Sequence, residues 1–117
     1  MVETGSYWIL QEVFVDPTVA GTPLECSAQL QVTSELIERE NNRCKVTVEV
    51  SGSLLSGEQQ VANVRFVNFS TYQLKRKITN KTLLKKAEKR KVEELITLLP
   101  VYLIKAGISL NRVSYEL

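Results

Sequence analysis

Two neighbouring stretches, AQLQVTSELIE and CKVTVEVSGSL, alternate apolar and polar residues with a period of two. Alternation sustained over about ten residues argues against a helix and for a sheet with one dry and one wet face. In the first stretch Ala28, Leu30, Val32 and Leu36 point one way, and Gln29, Gln31, Thr33 and Glu35 the other. In the second, Cys44, Val46, Val48 and Val50 alternate with Lys45, Thr47, Glu49 and Ser51. The turn between them is RENNR, and parity decides its loop. A two-residue Asn41-Asn42 loop would set Leu36 beside Thr47 and send the two apolar sets to opposite faces. A three-residue loop, Glu40-Asn41-Asn42, sets Leu36 beside Val46 and Val32 beside Val50, with Asn42 at a positive φ.

The flanking segments extend this pattern. Tyr7 to Val15 places Trp8, Leu10 and Phe14 against Tyr7, Ile9, Val13 and Val15, so both faces of this strand are apolar. Asp16-Pro17 ends it, and TVAGTP reads as a loop. After Ser56-Gly57, QQVANVRFVNFSTYQL alternates through Ala62, Val64 and Phe66, then slips phase to Val67 and Phe69 and again to Tyr72 and Leu74. The slip predicts a bulge near Phe66–Asn68. Four strands thus follow one another in meander order.

The period then changes. On a helical wheel Leu84, Ala87, Leu95, Leu98, Leu99 and Tyr102 form one apolar stripe. Thr79 or Asn80 can cap its start, and Gly107 suits the position after its end. Pro100 lacks an N–H and predicts a break, with residues 81–99 regular and Val101–Ala106 bent or separate. ISLNRVSYEL is a last extended segment. The expectation is an α+β fold in one domain, residues 1–117: a four-stranded antiparallel meander sheet, a long C-terminal amphipathic helix and a short extended tail.

Several function classes lack residues to carry them. The chain of 117 residues has no His, its one Asp is Asp16, and it contains neither GxxxxGK[ST] nor GxGxxG, so no enzyme or nucleotide site is expected. Adjacent Glu93 and Glu94 diverge by about 100° on a helix and read as surface residues. Two cysteines without His do not build a zinc site, and neither metal nor cofactor is expected. With Glu38 opposite Cys44, Cys26 lies roughly 40 Å away along its strand, so both thiols are expected free and buried. The segment MVETGSYWILQEVFV has no basic n-region, and no apolar run reaches membrane-spanning length; a cytoplasmic protein with no membrane contact is expected.

Charge is distributed unevenly. KRKITNKTLLKKAEKRK, residues 75–91, carries nine Lys or Arg against one Glu, whereas residues 1–74 sum to −5. A helix on a sheet needs a solvated face, and Lys89–Glu93 and Arg90–Glu94 offer i,i+4 pairs. Yet Lys81, Lys85 and Lys86 sit where the helix macrodipole disfavours cations. Lys85/Lys89 and Lys86/Arg90 are like-charge i,i+4 neighbours, and Lys75-Arg76-Lys77 adds more charge ahead of the helix. This patch is a solvated face, a nucleic-acid contact, or the mate of an acidic protein patch, including one on a neighbouring subunit.

Three segments, AQLQVTSELIERENNRCKVTVEVSGSL, VANVRFVNFSTYQL and LIKAGISL, in this order of strands, helix, glycine and tail, resemble the SecB-like export chaperones over residues 7–110. The resemblance implies a dimer-based tetramer with grooves that hold unfolded, apolar polypeptide segments. Pro100-Val101-Tyr102 stands near the end of the helix rather than at its start, the tail lacks proline, and the basic block is foreign to an acidic family. Two readings of function follow. One is an oligomeric protein-binding module, a dimer or tetramer, with Trp8, Leu10, Phe14, Val67 and Phe69 in partner or subunit contacts and Ile37 outside the core. The other is a nucleic-acid-binding protein whose basic segment contacts phosphates with little base reading. Phe66, Phe69 and Tyr72 are read as core or interface rather than base-stacking residues.

Overall fold

The computed structural model describes residues 1–18 and 24–116. The loop reading of TVAGTP lies, beyond Thr18, outside these residues. Five strands form one sheet: β1 Val2–Val15, β2 Leu24–Arg39, β3 Arg43–Ser56, β4 Gln59–Gln73 and β5 Ile108–Glu116; the helix α1, Asn80–Ile104, lies between β4 and β5 in sequence. The fold is therefore α+β, with a sheet that is mostly antiparallel and one C-terminal helix. No helix among the described residues is long and apolar enough to cross a membrane.

The strand order is β1-β4-β3-β2-β5. Only β2, β3 and β4 form the expected meander; β1 pairs with β4 at the far edge. Alternation says which face a residue occupies but not which strand lies beside it, so the meander order for β1 was an error of adjacency. The tail is a fifth strand, and its direction follows from the helix. Because β4 and β2 are both antiparallel to β3, they run the same way, and α1 carries the chain back along the sheet. The next strand must then run with β4, hence parallel to β2.

Register in the central hairpin is as parity required: Leu36 faces Val46 and Val32 faces Val50. The route to it differs. Arg39 faces Cys44, Glu40 N–H donates to Arg43 O at 2.8 Å, and no non-glycine described residue has positive φ. The turn is thus the two-residue Asn41-Asn42, and a bulge at Ile37 restores the phase. Arg39 rather than Glu38 opposes Cys44; both cysteines are free and buried.

In β4 no phase slip occurs. Ala62, Val64, Phe66, Asn68, Ser70 and Tyr72 all face the helix side and are buried, and the strand's bulge lies at Val61. The sequence looked slipped because two polar residues occupy core positions. A bulge near Phe66 does exist, but in β1 at Gln11. It turns Phe14 to the face opposite Trp8 and Leu10, correcting the expectation that these three share a side.

Thr79 caps α1, its Oγ1 accepting from Thr82 N–H at 3.2 Å. The helix ends at Ile104 with Lys105 as C-cap, so Ala106 takes the following position and Gly107, with φ 77°, comes one later than expected. Its buried row is Leu83, Ala87, Lys91, Leu95, Leu99 and Leu103, joined by Val92. The expected stripe was rotated: Leu98 and Tyr102 are exposed. A row spaced by four residues precesses about 40° per step against a 3.6-residue turn. A wheel drawn with one fixed direction averages that drift away.

Pro100 does not break α1, which continues through it to Ile104. The proline is exposed while Leu99 and Leu103 on either side are fully packed, and their burial outweighs the missing bond to the carbonyl of Ile96. Pro100→Ala should restore that bond and raise stability by about 1–2 kcal/mol, after the lost rigidity of the unfolded chain is counted. Urea unfolding checks this; a destabilised variant would contradict it.

Candidate functional site

Strands of 14 to 16 residues give the molecule its 51 Å long axis. A helix of 25 residues spans about 37 Å, so it covers one face and not the whole of that. Two surfaces and one buried cluster result.

The first surface is β1. It has β4 on one side and, among the described residues, no strand on the other. Six large apolar side chains on it are exposed: Val2 44%, Tyr7 59%, Ile9 42%, Leu10 42%, Val13 45% and Phe14 53%. An apolar strand of this kind suits cover on both faces, and within the single chain that cover is missing: one helix lies on one side of the sheet only, and β1 is at the sheet's edge. Of the five residues expected at a contact, Leu10 and Phe14 are exposed, on opposite faces. Trp8 is partly buried: its indole N–H donates to Glu94 Oε1 at 2.8 Å, and its ring meets Phe66 edge-on at 6.4 Å. Val67 is buried, while Phe69 stacks on Tyr7 at 5.2 Å. Tyr7, Phe69, Ile37 and Thr47 line a depression of about 370 Å³ on the face away from the helix. Ile37 is 57% exposed because the bulge lifts it from the core. Phe66 and Tyr72 are core residues.

Beneath the helix lies a cluster that was not anticipated. Lys91 is fully buried, and its ammonium donates to Glu3, to Ser6 Oγ at 2.8 Å and to Glu94 Oε2 at 3.1 Å. Asn68 Nδ2 donates to Ser6 Oγ at 2.9 Å and to Tyr7 O at 3.2 Å, and Ser70 Oγ donates to Asn68. Residues from β1, β4 and α1 thus meet around one charge, which ties the edge strand to the helix. Burial alone would lower the Lys91 pKa, but the hydrogen bonds it donates to Glu3 and Glu94 outweigh this and hold it above the usual 10.5. Glu94 is thereby committed, and neither Lys89–Glu93 nor Arg90–Glu94 forms an ion pair. One signal could have found the cluster: Lys91 stands in the row of four-residue spacing among Leu83, Ala87, Leu95 and Leu99, with Glu94 three residues on.

The second surface is basic. Lys75, Arg76, Lys77, Lys81, Lys85, Lys86, Lys89 and Arg90 are all exposed. None forms an ion pair among the described residues. Arg90 lies 5.5 Å over the centroid of the buried Tyr72 ring. The expected patch is therefore contiguous, running from the connector onto the outer face of the first half of α1. Among the described residues no three His, Cys, Asp or Glu side chains converge as metal ligands.

Four buried groups share one pH response. Burial pushes the Cys26 and Cys44 thiols above 9.0 and the Tyr72 phenol above 10.0, and Lys91 is also raised. For each, the native state holds its proton more tightly than the unfolded chain. Their contribution is full below the unfolded values and is lost as pH rises through the folded ones. Urea midpoints are expected to hold from pH 7 to about 8.5 and to fall from about pH 9 upward. A midpoint flat to pH 11 would contradict this.

No protein-family model, curated protein or solved structure matches this chain.

Proposed function

We propose that this domain is a self-associating, polypeptide-binding module that holds unfolded apolar segments in the manner of a SecB-like chaperone. The open edge of β1 carries this reading. Fourteen residues of unpaired edge, bearing six exposed large apolar side chains, lack the usual protection: β1 has no Pro and no Lys, and its charges are Glu3 and Glu12 alone. A strand of this kind adds a second strand through main-chain hydrogen bonds, and its side chains supply apolar contacts on both faces. The depression beside Tyr7 and Phe69 continues the apolar surface away from the edge.

The test is assembly and client binding together. Sedimentation at micromolar concentration is expected to show a species of at least twice 13.2 kDa. The double change Ile9→Lys with Phe14→Lys is expected to weaken that assembly and the capture of a permanently unfolded polypeptide. A parent that sediments only as a 13.2 kDa monomer and captures no unfolded polypeptide would sink the reading.

A further inference from the structure

We infer that the outer face of the first half of α1, with the 75–77 connector, binds the phosphate backbone of a nucleic acid without reading its bases. The charge arrangement is the starting point. Lys85 and Lys89 form one column on the helix and Lys86 and Arg90 the next, with Lys81 a turn ahead of the first. Successive members of a column are separated by about 6 Å along the axis. Among the described residues no carboxylate pairs with them. Glu88, the one acid of the segment, is turned to the sheet and accepts from Ser34 Oγ at 2.8 Å. Glu94 is held by Lys91 and Trp8. The first turn contains no acidic residue, so Lys81 also faces the positive end of the helix dipole uncompensated. An array this unfavourable in isolation becomes favourable once a polyanion lies along it.

The surroundings select among polyanions. An anionic membrane is bound by helices that set apolar side chains beside their lysines. Among the cations and in the turns that follow them the exposed positions are Thr82, Glu93 and Thr97; the exposed Leu98, Val101, Tyr102 and Ile104 lie in the last two turns, beyond the band rather than beside its lysines. An acidic polypeptide patch rarely repeats its charge at even intervals, whereas a nucleic-acid strand does so along its whole length. Base reading uses Arg or Lys on guanine, amides on adenine and aromatic rings for stacking, and Arg90 is already stacked over a ring of its own chain. Asn80 Oδ1 accepts from Arg39, and the aromatic ring beneath Arg90, Tyr72, is buried. The band therefore contacts phosphates alone.

The surface shares no residue with β1, so its test is independent of assembly. Labelled single- and double-stranded DNA and RNA of two unrelated sequences would be titrated at 50 and 200 mM salt. Binding should be equal for the two sequences and, with four or more contacts, weaken about 100-fold or more on duplex over that range. The variant Lys85→Gln, Lys86→Gln, Lys89→Gln, Arg90→Gln should lower the salt slope by about three to four and keep the parent's unfolding curve. Three results would overturn the inference: no binding by the parent at 50 mM salt, a variant with the parent's slope, or polyglutamate and anionic vesicles bound as tightly as DNA.

Discussion

Lys91→Ala is expected to lower stability by about 3 kcal/mol, enough to move Tm down by roughly 10–15 °C in a domain of this size. Removing one partner of a buried pair costs about 3–5 kcal/mol because the other charge is stranded. Here the two carboxylates keep side-chain exposures of 32% and 39%, so water takes up part of their charge and the lower end applies. The truncation also empties the centre of the contact between β1, β4 and α1, and leaves Ser6 without its donor from the helix. Lys91→Met restores volume without charge and should recover about half of the loss. Lys89→Ala, two residues earlier and exposed, should stay within about 0.5 kcal/mol of the parent. Thermal and urea unfolding of the three variants decide the matter; a Lys91→Ala protein within 1 kcal/mol of the parent would show that the cluster does not hold the edge strand.

Gly52→Val should cost about 3 kcal/mol, from overpacking rather than from a lost contact. Gly52 lies on the helix face of β3 between Leu30 of β2 and Val64 of β4, both buried. A Cβ there would stand 2.5 Å from Leu30 Cδ2, 3.1 Å from Gln29 O and 3.5 Å from Val64 Cγ2. Leu30 can rotate away from one methyl, but the carbonyl belongs to the sheet and cannot. Gly52→Ala is therefore expected to cost about 1 kcal/mol and the branched valine more, despite its better strand propensity. A more stable valine variant, measured by urea unfolding, would show that Leu30 has another place to go.

Much of the architecture was legible because the alternating stretches were long. Ten or so residues of strict alternation left β2 and β3 one workable pairing, and the parity of the apolar sets gave Leu36 opposite Val46 even though the loop was miscounted. The miscount has a simple cause: a three-residue loop and a two-residue turn followed by a bulge give the same faces, and no residue type near Ile37 marks the difference. The helix start was visible to within one residue, Thr79 or Asn80, since a capping side chain has a local role. The basic patch, being a count of charges, was legible in every member but Lys91, which the fold buries.

The candidate site was less legible, for reasons that differ from residue to residue. Asn68 and Ser70 looked like a change of phase because polar residues in a strand ordinarily mark the wet face. They are buried because Ser6 and Tyr7, more than sixty residues away, satisfy them. Lys91 looked like one more lysine in a basic run, and only the four-residue spacing of its row sets it apart. Glu3 and Trp8 carry no local sign of their partners, Lys91 and Glu94.

Taken alone, the sequence determined what depends on near neighbours: strand and helix segments, the dry and wet faces of β2 and β3, the helix cap to within one residue and the sign of the surface. The tertiary structure decided what depends on distant ones. It placed β1 beside β4 and left its other edge open, made β5 parallel by returning the chain through α1, and carried the helix across Pro100. It also gathered Glu3, Ser6, Asn68, Lys91 and Glu94 into one buried cluster. The reason is that periodicity records the local choice between water and core, whereas adjacency and the partners of a buried charge are settled when the sheet and helix close on each other.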